Sequence, residues 1–227
     1  MISPMAAREC DRLLTRQLPD VPSATSFFGV RSTPLCFPSP GKPAHLYRMA
    51  DGKELKQPMN ISPAVSEDAA AIARAQVRSW QAAYLNILPD DYLANLSVEK
   101  RELMWREFIA RGSPELLVAR DGECIVGFVA FGPCRDEGVG AARAEIWASY
   151  VTPSHWSQGV GSQLWERARS RLTALGYRSV SLWVLTGNGR AIQFYGRVGF
   201  AVDEASAKEV VLGGKALREI RYVADLD

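Results

Sequence analysis

The 227-residue sequence predicts one α/β domain of the α+β kind, and three observations carry that prediction. An apolar run from Ala144 to Val151 stops at Pro153, passes a small-residue turn holding Gly159 and Gly161, and gives way to Val160, Leu164, Ala168, Leu172 and Leu175 at helical spacing. A second strand-helix-strand unit follows. Ser179 to Leu185 is rich in strand formers, Ala191, Phe194, Tyr195 and Val198 fall on one helix face, Gly199 ends that helix, and Phe200-Ala201-Val202 resumes extended structure. Two hairpins complete the pattern, Leu116–Gly132 around Asp121-Gly122 and Val210–Val223 around Gly213-Gly214.

In chain order, Asn60 to Pro63 reads as a first strand. Ser66 is placed to cap a helix whose first turn carries Glu67 and Asp68, acids that suit the positive end of the helix dipole. Ile72, Ala73, Val77, Trp80, Ala83, Tyr84 and Ile87 trace its apolar face, and the helix is expected to end near Pro89. Ser97 caps a second helix with Leu103, Met104 and Phe108 inside and Gly112 at its close. The hairpin Leu116–Gly132 follows, then a loop at Gly138-Val139-Gly140. The resulting order is β-α-α-β-β-β-α-β-α-β-β.

Residues 1–58 differ from residues 59–227. Eight of the 13 prolines lie there, and helical periodicity is confined to a short stretch around Ala6 to Gln17. The segment reads as a mostly disordered extension. A targeting peptide and a true start at Met49 or Met59 stay open, although Glu9, Asp11 and Asp20 argue against a transit peptide and no secretory apolar core is present.

Composition narrows the function classes. Hydrophobic residues make up 47% and charged residues 23%, ordinary for a globular domain, and a net charge of +2 offers no polyanion footprint, so no nucleic-acid partner is expected. No apolar run reaches membrane-spanning length. Cys10, Cys36, Cys124 and Cys134 form no Cys-x-x-Cys pair, and His45 and His155 complete no zinc spacing, so no metal is expected and a cytoplasmic setting is the simplest.

The glycine turn carries chemistry. The N–H groups of a helix's first turn lack intrahelical partners, and the helix dipole adds positive charge there, so a glycine-lined helix start suits a phosphate or pyrophosphate. A plain tight turn would look the same. The better-known phosphate loops do not fit: Gly161 is followed by Ser162-Gln163 rather than Lys-Ser/Thr, and Leu164 stands where a dinucleotide fingerprint needs its third glycine.

Taken together, the two units resemble the GNAT superfamily of acetyl-CoA-dependent N-acetyltransferases, over roughly Met59 to Asp227. Gly159 and Gly161 match that family's pyrophosphate loop, Gln/Arg-x-x-Gly-x-Gly/Ala, with Trp156 in place of Gln/Arg. Asn188, Ala191, Tyr195, Gly199 and Phe200 resemble its second cofactor motif. The stretch Arg78 to Pro89 resembles members labelled small-amine or phosphinothricin acetyltransferases. The resemblance implies a mixed, mostly antiparallel sheet of about seven strands flanked by about four helices, with acetyl-CoA as co-substrate.

It also implies roles. Two central parallel strands, ending at Val151 and near Val184, would splay apart and admit the pantetheine arm. The backbone of Tyr150 and Val151 would pair with that arm, with the Val151 N–H polarising the thioester carbonyl, a contact worth about 2.7–4 kcal/mol in such enzymes. Backbone N–H groups of Gln158, Gly159, Val160, Gly161 and Ser162 would take the pyrophosphate. Arg190 or Arg197 would meet the remaining phosphate or serve as surface charge. Tyr195 would protonate the leaving thiolate, and Asn188 would bridge to the arm or order water. Glu145 is the candidate base or a solvent-facing carboxylate, and strand alternation puts it on the face of Trp147, Ser149 and Val151 unless a bulge intervenes. Trp80 and Tyr84 would contact the acceptor or pack in the core. The expected acceptor is a primary amine of a small molecule. A protein N-terminal or lysine acetyltransferase and a non-catalytic acyl-CoA-binding module are the alternatives, and a homodimer through strand edges stays open.

Overall fold

The computed structural model describes residues 59–226, together with the backbones of two short strands before them, β1 (Leu46–Arg48) and β2 (Glu54–Lys56), which pair antiparallel. The expected disorder of residues 1–58 otherwise lies outside the described residues.

The remaining elements are β3 (Asn60–Pro63), α1 (Ala69–Ala83), α2 (Asp90–Ala94), α3 (Val98–Arg111), β4 (Glu115–Asp121), β5 (Cys124–Pro133), β6 (Arg143–Val151), α4 (Val160–Ala174), β7 (Ser179–Leu185), α5 (Gly189–Arg197), β8 (Ala201–Leu212) and β9 (Lys215–Asp225). Seven strands form one sheet in the order β3-β4-β5-β6-β7-β9-β8. Neighbours run antiparallel except β6 and β7, which are parallel and pair only over Arg143–Glu145 and Ser179–Ser181. Beyond those residues the two strands diverge, leaving a cleft in the middle of the sheet.

Apolar residues fill both faces. Leu164 and Leu172 of α4 pack with Ile146, Leu182, Val184 and Phe200 on one face. On the other face Ile72 and Trp80 of α1, Tyr84 at its end and Trp105 of α3 pack with Phe128 and Tyr150 of the sheet. Trp105 donates its indole N–H to Gln76 at 2.8 Å, a buried hydrogen bond that ties α3 to α1.

Four local expectations change. Ser66 does not cap α1: it opens a short 3-10 turn, Ser66–Asp68, ahead of the helix, and within that turn Asp68 accepts the Val65 N–H at 3.0 Å and pairs with Arg120 on β4 at 2.7 Å. The helix ends at Tyr84 rather than near Pro89, because Asn86 adopts a left-handed φ of 66°. The short α2 then follows Pro89, a fifth helix. On α3, Leu103 is 55% exposed, and Met104, Trp105 and Phe108 are inside instead. The first hairpin turns at Gly122-Glu123, one residue later than expected, with Gly122 at φ 57°. Ser97 does cap α3, accepting the Lys100 N–H at 3.1 Å, and Gly112 closes it in the left-handed conformation.

Candidate active site

At the end of β6, Thr152 donates its N–H to Val126 on β5 at 2.8 Å. Antiparallel ladders alternate, so Ser149 and Val151 turn their N–H and C=O groups the other way, toward the cleft left by β7. The Val151 carbonyl has two donors, Trp156 Nε1 at 2.7 Å and Ser79 Oγ at 3.0 Å. The Ser79 hydroxyl also points at the Ala75 carbonyl at 2.7 Å, so its single proton is shared.

The loop after β6 is held by side chains. His155 Nδ1 lies 3.1 Å from Thr152 Oγ1 and 2.9 Å from Ser154 Oγ, while its Nε2 lies 3.3 Å from Asp121 Oδ2 on the neighbouring hairpin. Gln158 folds its amide back onto the Ser154 carbonyl at 2.8 Å. Gly159 then takes φ 82°, a value that favours glycine, and the helix bond from Gln163 N–H to Gly159 C=O starts α4. The N–H groups of Val160, Gly161 and Ser162 precede that bond and have no partner within the helix. A Cβ on Gly161 would sit 3.3 Å from the Phe194 ring, so glycine is what lets the loop and α5 approach this closely.

These groups open on a cavity of about 390 Å³, walled by Ser149, Val151, Trp156, Gly159–Ser162 and, from α5, Arg190, Phe194 and Arg197. Among the described residues, two arginines and no carboxylate line it. The Arg190 guanidinium stacks on Trp156 at 4.2 Å from the ring centroid. Freed loop N–H groups, a helix start and two cations suit a polyphosphate.

Beside the cavity lies a buried polar cluster. Tyr195 is 3% exposed and hydrogen-bonded to Ser149. Burial pushes its phenol well above the ordinary value; the Ser149 contact opposes that shift and the nearby Tyr84 adds to it. Tyr84 is likewise raised by burial, against hydrogen-bonding contacts with Asn188 and Tyr150, and the Glu219 carboxylate nearby raises it further. Asn188 caps α5, its Oδ1 accepting the Ala191 N–H at 3.2 Å, and its amide nitrogen faces Tyr84 outside ideal hydrogen-bond geometry.

The predicted residues divide accordingly. Val151, Gly159, Val160, Gly161 and Ser162 line the cavity. Gln158 is turned into the loop. Tyr150 packs its ring among Trp80 and Phe128 on the α1 side, so what it can offer the cleft is backbone. Trp80 and Tyr84 stack edge-on at 5.0 Å and are buried in the same core. Glu145 departs from the expected face. Ala130 pairs with Ala148 and Phe131 with Ile146, which leaves Trp147 as a bulge. The bulge reverses the alternation. Glu145 is fully buried away from Ser149 and Val151, and both its oxygens are held by Arg135, whose guanidinium also stacks on Trp147 at 4.1 Å. Sequence reasoning missed Ser149 as the partner of Tyr195 and Phe194 as the wall behind Gly161. The Ser149–Tyr195 pair had no local signal, since it joins residues on different elements; the i+3 spacing from Ala191 marked Phe194 only as part of an apolar helix face.

Comparison with known proteins follows the same geometry. The uncharacterized N-acetyltransferase YuaI of Bacillus subtilis strain 168 is 29% identical over 163 residues, 71% of this chain and 90% of that protein. The crystal structure of the PaiA N-acetyltransferase from Thermoplasma acidophilum with coenzyme A superimposes with a TM-score of 0.58 at 21% identity, over 72% of this chain and 98% of that one. The structure of YncA from Salmonella typhimurium with acetyl-CoA does so with 0.59 at 23% identity, over 75% and 95%. The model of the acetyltransferase (GNAT) family matches residues 80–200, a span that runs from the last turn of α1 through the glycine loop to Asn188 and Tyr195. The chain therefore belongs to the GNAT family of acetyltransferases.

Proposed function

We propose that this protein transfers the acetyl group of acetyl-CoA directly to a primary amine of a small molecule, with Tyr195 as general acid. One observation carries the reading: a buried phenol, hydrogen-bonded to Ser149, lies beside a cationic, glycine-lined cavity. A module that only held acyl-CoA would have no use for the phenol.

In this reading the N–H groups of Val160, Gly161 and Ser162 take the pyrophosphate, and Arg190 and Arg197 meet the remaining phosphate. The cleft-facing edges of Ser149 and Val151 pair with the pantetheine amides. Because the Val151 carbonyl already has two donors, its N–H is the group left to engage the ligand, here the thioester carbonyl. The amine nitrogen attacks the thioester carbon, the C–S bond breaks, and Tyr195 gives its proton to sulfur. A phenol raised by burial stays protonated at neutral pH and so can donate. We assign Glu145 the role of anchoring the loop before β6 through Arg135, and Tyr84 that of ordering the acceptor side.

A small acceptor fits better than a peptide. The segment after α1 closes over the far end of the cleft: Ile87 packs against Gly187, its carbonyl accepts from Lys215 Nζ at 2.8 Å, and a Cβ on Gly213 would meet Tyr92 at 2.7 Å. We place the enzyme in the cytoplasm, where a charged thioester such as acetyl-CoA is retained.

Thermal unfolding with and without acetyl-CoA tests the first step. A ligand specific to the folded state adds about 2.7 kcal/mol at a hundred times its dissociation constant. Tyr195→Phe should keep that shift and lower amine-dependent release of CoA thiol about 10²–10⁴-fold. Unchanged turnover would remove Tyr195 from the mechanism.

A further inference from the structure

The face of the sheet opposite α4 and α5 carries a second constellation that the cofactor cavity does not use. Leu182 and Val184 turn toward α4 and α5, so Trp183 between them faces the α1 side. It lies past Ser181, where β6 and β7 have separated, and therefore beside the cleft. Over its ring, 3.3 Å from the centroid, sits the ammonium of Lys208. The same ammonium is 3.5 Å from Glu219 Oε1, and the Glu219 side chain is completely buried. Glu219 stands in register with Leu185 on one side and Lys208 on the other, at the level where the cleft opens. Tyr84, in the core on the same face, is raised further by the Glu219 carboxylate, and Tyr195 is raised in turn by Tyr84.

An ammonium between an aromatic face and a carboxylate is the arrangement by which proteins recognise alkylammonium groups. Here the occupant comes from the chain itself. β8 breaks register between Asp203 and Lys208, and the stem of Lys208 crosses from β8 to β7 to deliver the charge. Its side chain is 39% exposed, so leaving the site returns a half-solvated lysine to water at small cost. The buried Glu219 favours a cation beside it, because burying a carboxylate uncompensated is expensive.

We infer that Lys208 holds the seat of the acceptor, and that the substrate's primary ammonium displaces it to sit between the Trp183 ring and Glu219. This rests on the acetyl-CoA-dependent reading above and names the class of acceptor: an unbranched primary alkylamine, protonated on arrival. Glu219 then takes one proton from the ammonium, which frees the nitrogen lone pair to attack the thioester carbon. As the C–N bond forms and the C–S bond breaks, the nitrogen loses a second proton. Tyr195 protonates the sulfur, so of the two protons lost by nitrogen one is balanced at the thiol and one leaves to solvent.

The test uses the full chain, acetyl-CoA and ethylamine as the probe, with CoA thiol release as readout. Lys208→Met keeps the apolar stem and vacates the seat. It should raise kcat/KM for ethylamine by roughly tenfold, the scale of one competing charge contact removed. Adding Glu219→Gln should abolish that gain. Both variants should keep the thermal shift with acetyl-CoA. Ethylamine turnover by Lys208→Met that equals or falls below wild type, or that is undetectable in both, overturns the seat. A gain that survives Glu219→Gln overturns the role of the carboxylate. Loss of the acetyl-CoA shift in the wild-type protein would instead sink the acetyltransferase reading itself.

Discussion

Single residues here carry more than one duty, and the penalties for changing them follow from burial. Glu145 is fully buried against Arg135. Glu145→Gln leaves a guanidinium without its charge partner, and breaking such a pair costs about 3–5 kcal/mol. Urea unfolding should show that loss while acetyl-CoA affinity stays near wild type, since Glu145 does not line the cavity. The three phenols Tyr84, Tyr150 and Tyr195 give the protein an alkaline limit. Each would ionise near pH 10.0 when unfolded and higher when folded, because burial disfavours the phenolate. The unfolded chain therefore releases protons first as pH rises. Stability from these groups is intact below pH 10 and declines above it. Replacing Tyr84 with Phe should make the alkaline slope shallower by about 1.4 kcal/mol per pH unit, as read from urea midpoints. At this scale the sequence was only partly legible. Spacing marked the glycine turn, the role expected of Tyr195 came from the family resemblance, and the tie of Asp68 to Arg120 joins residues more than fifty positions apart, beyond any local signal.

Elements were far more readable, because strand and helix periods survive in the chain order. β3 to β7, β9, α4, α5 and the capping of α3 lie close to where alternation, apolar spacing and glycine placed them, whereas β1 and β2 were not foreseen and β8 runs as one strand from Ala201 to Leu212. The failures have physical causes. A left-handed Asn86 cut α1 short where the apolar pattern ran on. Trp147 bulges out of β6 with no glycine to announce it, and every side chain before it changes face. The loop between β6 and α4 makes its own prediction. Gly161→Ala would press a methyl group to 3.3 Å from Phe194. It should weaken acetyl-CoA binding in calorimetry by about tenfold or more, equivalent to at least 1.4 kcal/mol, with little change in the unliganded unfolding midpoint because α5 can give by a few tenths of an ångström.

For the whole molecule, the decisive fact is that the sheet is joined at its centre by three residue pairs. A block of β3 to β6 and a block of β7, β9 and β8 meet along that short seam, and each face of the sheet is held together by packing rather than by ladder bonds. A ligand lying in the cleft would supply strand partners for the open edges. Hydrogen exchange should then show the amide of Val151 slowed by acetyl-CoA, whereas Tyr150, already within the β5 ladder, should change little. Equal slowing at both positions would argue for general stabilisation instead of pairing in the cleft. The order of strands around that seam could not be read from periodicity, which locates segments but does not say which edges meet.

The Val151 carbonyl shows how such a site tolerates genetic drift. Two donors from separate elements converge on one oxygen, and the Ser79 proton is divided between that oxygen and Ala75. If Trp156 is lost, Ser79 can turn fully to Val151; if Ser79 is lost, the indole remains. Either substitution alone should therefore be mild, and the pair together should cost up to about 1 kcal/mol more than their sum, since the acceptor left bare is partly buried. A lineage carrying both donors can wander at either position without losing the fold. That redundancy gives the loop room to exchange the usual Gln or Arg for Trp156, and with it to gain a stacking platform for Arg190.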